Sequence, residues 1–185
     1  MRVISGTARG KKLHSLEGLE TRPTLDRVKE AVFNIIQFNL KNAIILDLFS
    51  GSGALAIEAL SRGAEEAILC DKSKNAIQII NTNLQETKLK DKAIVINSDY
   101  LEALNKLNNE NRKFDIIFID PPYKSSFALN SIDKIFEYNL LKDDGFIIVE
   151  TDDKNKIEEM KKLEYIEVYD ERKYGIVLII FIRKG

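Results

Sequence analysis

The most specific chemistry in this chain lies in four consecutive residues, Asp120-Pro121-Pro122-Tyr123, directly after the apolar run Phe114–Ile119. A carboxylate beside a carbonyl suits an amino group whose lone pair is delocalised into an aromatic ring. Asp120 and the Pro121 carbonyl can accept its two N–H hydrogens from one side, so that the lone pair faces an electrophile. Two prolines stiffen the corner and remove competing backbone donors, and a residue before proline is biased toward extended backbone. Tyr123 adds an aromatic face for an extruded base, worth ~1–3 kcal/mol by analogy with single-strand binders. The bland alternative is a Pro-Pro turn after a strand; the position on the fourth buried strand weighs against it.

A second motif runs Ile45-Leu46-Asp47-Leu48-Phe49-Ser50-Gly51-Ser52-Gly53-Ala54-Leu55-Ala56. An apolar strand ends in a glycine turn that opens a helix, and Gly51 and Gly53 let the backbone approach a ligand. The G-x-G-x-x-A spacing also matches a loose dinucleotide fingerprint. Asp47 discriminates: an acid just before the loop can hold the ammonium of an amino-acid ligand, directly or through water, but repels a pyrophosphate. That favours S-adenosylmethionine over NAD, with Phe49 in the same loop assigned to the same ligand. Asp71, about twenty residues past the loop, is placed to accept ribose hydroxyls or else to cap the next helix. Asp99 holds the matching place after the third strand, for the adenine amino group or again for a cap.

These residues need a frame. Apolar runs at Ala43–Leu48, Glu66–Cys70, Ala93–Asn97, Phe114–Ile119 and Gly145–Glu150 show little polar alternation, as strands buried on both faces do. Helical spacing fills Ala54–Arg62, Ser73–Thr87, Tyr100–Leu107 and Phe127–Tyr138 between them. The alternation predicts an α/β, Rossmann-like, doubly wound fold with a seven-stranded, mostly parallel sheet. Ile166–Tyr169 and Ile176–Ile182 are joined by Asp170–Gly175, too short for a crossover, so the last pair is expected as an antiparallel hairpin. Ahead of the sheet, Thr24–Leu40 reads as an amphipathic helix capped by Thr24, with Leu25, Val28, Val32, Ile35 and Ile36 inward. Residues 1–22 form a small hairpin or extended arm turning at Gly6 and Gly10, and the whole chain, 1–185, is expected to be one domain.

The net charge is −1, which excludes a polybasic protein, yet Met1–His14 carries Arg2, Arg9, Lys11 and Lys12 with no acid. A local basic arm on a neutral body suits an anionic partner at one place, or is simply a solvated terminus. One cysteine, Cys70, excludes an internal disulfide and sits in a buried run; one histidine, His14, excludes a multi-histidine metal site, and no metal is expected. The longest apolar run, Ile176–Ile182, is far below the ~20 residues that span a bilayer. With no signal-peptide pattern at the N-terminus, a cytoplasmic monomer without membrane association is expected.

The Asp120–Tyr123 signature resembles the Asp/Asn/Ser-Pro-Pro-aromatic motif of amino-methyltransferases. Almost end to end, the chain resembles the family that methylates guanine-966 of 16S ribosomal RNA at N2. The resemblance rests on Arg2–Gly6, Arg9–Leu13, Thr21-Arg22-Pro23-Thr24, Arg27–Asn34, Asp47–Ala54, Glu58–Ala64, Asp120–Tyr123 and Tyr174-Gly175. Ser50 and Ala56 stand where the family often has alanine and glycine. The resemblance implies a class I methyltransferase with adenosylmethionine over Gly51 and Gly53, and a guanine beside Asp120, Pro121, Pro122 and Tyr123. It implies RNA phosphates at Arg9, Lys11, Lys12 and Arg22, and a place near the pocket for Arg27 and Asn34. The implied partner is 16S rRNA within the 30S subunit or its assembly intermediate. Three rivals remain: a DNA adenine-N6 methyltransferase, an NAD-dependent oxidoreductase, and an RNA-binding module without catalysis. The first lacks room for a target-recognition insert, the second has no use for Asp120–Tyr123, and the third leaves two intact motifs idle.

Overall fold

The computed structural model describes residues 1–16, 23–122 and 126–185, and for 23–25 the backbone alone. The chain falls into two compact units, Met1–Tyr100 and Leu101–Gly185.

In the first unit, β1 (Ile44–Asp47), β2 (Glu66–Asp71) and β3 (Ala93–Asn97) run parallel in the order β3-β2-β1. Ile45, Leu46 and Ala67–Cys70 are sealed from solvent, as strands covered on both faces must be. The helices are α1 (Pro23–Ile35), α2 (Ala54–Ser61) and α3 (Lys74–Glu86). α3 buries one stripe, Ala76, Ile80, Asn83 and Leu84, and starts where the Ser73 hydroxyl accepts the Ala76 N–H at 3.3 Å. α2 is buried almost throughout, so its one charged residue, Glu58, is buried with it.

In the second unit, α4 (Tyr100–Asn109), which opens at the boundary, is followed by β4 (Phe114–Ile119), α5 (Phe127–Glu137) and β5 (Leu141–Thr151). Then come α6 (Lys154–Met160), β6 (Ile166–Tyr174) and β7 (Val177–Lys184). Strand order is β4-β5-β7-β6, with β4 and β5 parallel and β7 antiparallel to both its neighbours. The strands therefore follow the expected α/β pattern, mostly parallel and closed by an antiparallel hairpin. No helix among the described residues is long and apolar enough to cross a membrane.

Several sequence expectations shift. α1 ends at Ile35 and gives way to a short 3-10 turn, Gln37–Asn39, rather than running to Leu40. Its buried apolar residues are Val28, Val32 and Phe33, with Ile36 buried just past its end, while Ile35 is 40% exposed. Thr24 falls inside the helix, not at its cap, and its side chain, like that of Leu25, lies outside the described residues. β6 continues through Asp170–Tyr174, so the expected six-residue connection shrinks to Gly175-Ile176, with Gly175 at φ +65°. Positive φ at the first of two turn residues is the geometry that tight hairpins favour. α6 had no counterpart in the periodicity, because only Ile157 and Met160 of its seven residues are buried.

The first thirteen residues are a hairpin. Val3 N–H donates to the Lys11 carbonyl at 2.9 Å, Gly10 N–H to Val3 at 2.8 Å and Leu13 N–H to Met1 at 2.9 Å. Arg2, Arg9, Lys11 and Lys12 are all exposed on it.

Candidate functional site

The glycine loop in the first unit is pinned from several directions. Ser50 N–H donates to the Cys70 carbonyl at 2.9 Å, and the Ser50 hydroxyl returns to the Asp47 carbonyl at 2.7 Å. Gly53 N–H closes the turn on Ser50 at 2.7 Å, and Gly53 then caps α2 at φ +79°. A side chain on Gly53 would press on Leu69 and Ile80, whereas above Gly51 (φ +54°) there is open space. That is the cradle a ligand needs: backbone laid bare on one side and held still on the other.

Asp71 is the main brace. One carboxylate oxygen accepts the Gly51 N–H at 2.9 Å and the other accepts the Ser73 N–H at 2.8 Å. It thus ties β2 to the loop and to the start of α3, but Ser73, not Asp71, is the cap of that helix. A carboxylate has about four lone-pair sites, so ribose hydroxyls can still be received. Asn97 fixes the same strand end, donating to the carbonyls of Asp71 and Lys72 at 3.0 and 3.1 Å. Asp99 is half-buried just before α4, and the Phe49 ring packs 5.3 Å from that of Tyr100.

Asp47 is the electrostatic oddity. It is 1% exposed, and its carboxylate receives the Ala56 N–H across a long 3.4 Å. Burial, joined by the negative charge of Asp71, pushes it up to about 7 from 3.8. The Ala56 N–H and the Ser50 hydroxyl offset that shift only in part, so this is a carboxyl whose charge a nearby cation would stabilise. Cys70, by contrast, is pushed up to about 12 by burial and is inert as a nucleophile.

In the second unit, β4 delivers Asp120 half-buried at its end, followed by buried Pro121 and exposed Pro122. Tyr123 lies outside the described residues, as does Arg22. Arg27 and Asn34 are exposed on α1.

Sequence reasoning passed over the residues that hold the N-terminal hairpin. Glu58 is 0% exposed and accepts the backbone N–H groups of Ile4 and Ser5 at 2.8 and 3.0 Å. It also pairs with Lys29 at 3.1 Å and Arg62 at 2.7 Å, and Lys29 donates onward to the Arg2 carbonyl at 2.6 Å. Burial is the larger influence on Lys29 and lowers its pKa, while Glu58 opposes the shift. Ser61 adds a hydroxyl that accepts from Ala8 N–H at 2.9 Å and donates to Ser5 at 2.6 Å. A lone Glu in the apolar run Ala54–Leu60 was the available signal.

A doubly wound sheet with a glycine loop after β1 and an Asp-Pro-Pro corner after β4 defines a class I methyltransferase fold. The chain belongs to the family described as conserved hypothetical protein 95, whose model matches residues 1–183. It is 43% identical to "Putative rRNA methyltransferase YlbH" of Bacillus subtilis, over 100% of this chain and 99% of the relative. With ribosomal RNA small subunit methyltransferase D of Haemophilus influenzae it shares 39% identity, over 82% of this chain and 79% of the relative. Among solved structures, "Putative methyltransferase yhhF from Escherichia coli" superposes with a TM-score of 0.84 at 31% identity, covering 100% of this chain and 98% of that one.

Proposed function

We propose that this protein is an S-adenosylmethionine-dependent methyltransferase acting on the exocyclic N2 of a guanine in 16S rRNA. The substrate is the assembled 30S particle or a late precursor, and the enzyme works as a cytoplasmic, single-domain monomer. The observation that carries the reading is the corner after β4, where half-buried Asp120 is followed by a buried and an exposed proline. Relatives named for small-subunit rRNA methylation support the substrate class.

The glycine loop, with Asp47, Phe49, Gly51, Gly53, Asp71 and Asp99, would hold the cofactor, which supplies an activated methyl group when bound. Asp71 takes the ribose hydroxyls and Asp99 the adenine amino group. Asp120 and the Pro121 carbonyl accept the two hydrogens of the guanine amine and thereby aim its lone pair; Pro122 keeps the corner rigid and Tyr123 stacks on the base. Asp120 acts as a hydrogen-bond anchor, since the amine proton becomes acidic only as transfer proceeds. Arg9, Lys11, Lys12 and Arg22 neutralise RNA phosphates, giving affinity that falls with salt.

The test is methyl transfer from radiolabelled adenosylmethionine to 30S particles, protein-free 16S rRNA and duplex DNA, with mass mapping of the product. Methylated guanine N2 in 30S particles is expected, and Asp120→Ala should lower kcat by roughly 100- to 1,000-fold. Label in adenine of duplex DNA, or an undiminished Asp120→Ala enzyme, would refute the reading.

A further inference from the structure

Asn83, on α3, is 0% exposed and joins two segments far from it in sequence. Its Oδ1 accepts the His14 N–H at 2.8 Å, and its Nδ2 donates both to the His14 carbonyl at 3.0 Å and to the Ser52 carbonyl at 2.9 Å. His14 is thus held as a neighbouring strand would hold it, and the same amide grips the middle of the glycine loop. The His14 ring reaches the same helix, 3.1 Å from Glu86.

We propose that Asn83 is a positioning residue that couples the basic N-terminal hairpin to the glycine loop. This rests on the reading above, in which the hairpin meets RNA and the loop meets the cofactor. Displacing either segment strands a buried polar group on Asn83, so the two are steadied together. Coupling of this kind is reciprocal: cofactor on the loop tightens the hairpin, and RNA on the hairpin tightens cofactor binding by the same factor. Asn83 touches neither reactant; it acts through Ser52 and His14.

Hydrogen exchange on the full chain tests this, with S-adenosylhomocysteine as the probe. In the wild type the probe should slow exchange of the His14 and Ser15 amides about fivefold or more, alongside protection at Ser52 and Gly53. Protection confined to the loop overturns the inference. Asn83→Asp keeps the acceptor for His14 N–H but loses both donors. In that variant the loop should still be protected by the probe while the effect at His14 disappears. Likewise, 30S affinity should rise about fivefold with the probe in the wild type and less than about twofold in Asn83→Asp. A merely structural Asn83 would lower the melting temperature and leave that ratio unchanged, which also overturns the proposal. Where Asn83→Asp does not fold, the wild-type exchange result decides alone. A wild type that binds both ligands without coupling refutes only Asn83's role; one that binds neither refutes the function itself.

Discussion

Two carboxylates in the first unit are buried almost equally, Asp47 at 1% exposure and Glu58 at 0%, yet their surroundings are opposite. Glu58 faces two cations and two backbone N–H groups from the hairpin. Asp47 has one long backbone hydrogen bond, the Ser50 hydroxyl and another acid nearby, and burial pushes its pKa up to about 7. The first carries its counter-charges within the fold; the second has neutral hydrogen-bond donors and a neighbouring acid instead. Full compensation suits an anchor of the fold, and a deficit is what the proposed cofactor role of Asp47 requires.

Removing the anchor should have the largest effect on stability. Glu58→Ala leaves Lys29 and Arg62 facing each other without their counter-charge and orphans the Ile4 and Ser5 N–H groups. A loss of roughly 3–5 kcal/mol is expected by denaturant unfolding. A loss below about 1 kcal/mol, the range of an exposed pair, would erase the contrast with Asp47.

The hairpin that Glu58 holds offers a sharper probe. Gly6 (φ +85°) lies so close to Ser61 that a side-chain carbon would fall on its backbone carbonyl, whereas Gly175 (φ +65°), in the other hairpin, faces open space. Gly6→Ala should cost roughly 2–4 kcal/mol, from strained backbone plus overpacking. Gly175→Ala should cost only about 1 kcal/mol, from backbone strain alone. Equal melting shifts for the two would show that docking against α2 adds nothing.

Asp47 should reveal itself through pH. Its folded pKa is raised from 3.8 to about 7, so the native state holds a proton that the unfolded chain releases. Stability from this group is therefore full below pH ~4 and is lost as pH rises toward ~7. Asp47→Asn should flatten that part of the melting profile. A cationic ligand prefers the ionised acid, so adenosylhomocysteine should bind more tightly as pH rises from about 6 to 8, and the variant should lose this dependence. An unchanged pH profile in Asp47→Asn would place the deficit elsewhere.

What was legible in the sequence was local. The strands before the loop and before the Asp-Pro-Pro corner announce themselves in consecutive apolar residues, and the loop lies within one short segment. The contacts that hold the N-terminal hairpin were not legible, because Glu58 meets Ile4 across 54 positions and Asn83 meets His14 across 69. Asn83 does sit on the apolar stripe of α3, between Ile80 and Leu84, and a polar residue at such a position signals a buried partner. The length of β6 was hidden by its composition: Glu171, Arg172 and Lys173 are exposed, and pairing with β7 keeps them extended.

That pairing also has a consequence for how the molecule is made. β7 lies between β5 and β6, although β6 precedes it in the chain. During synthesis β6 emerges with no partner to receive it, and the flank of β5 stays uncovered until Val177–Lys184 has left the ribosome. Translational stalling within this stretch would leave the β5 edge open to self-association, so the chain should be most vulnerable just before β7 is added.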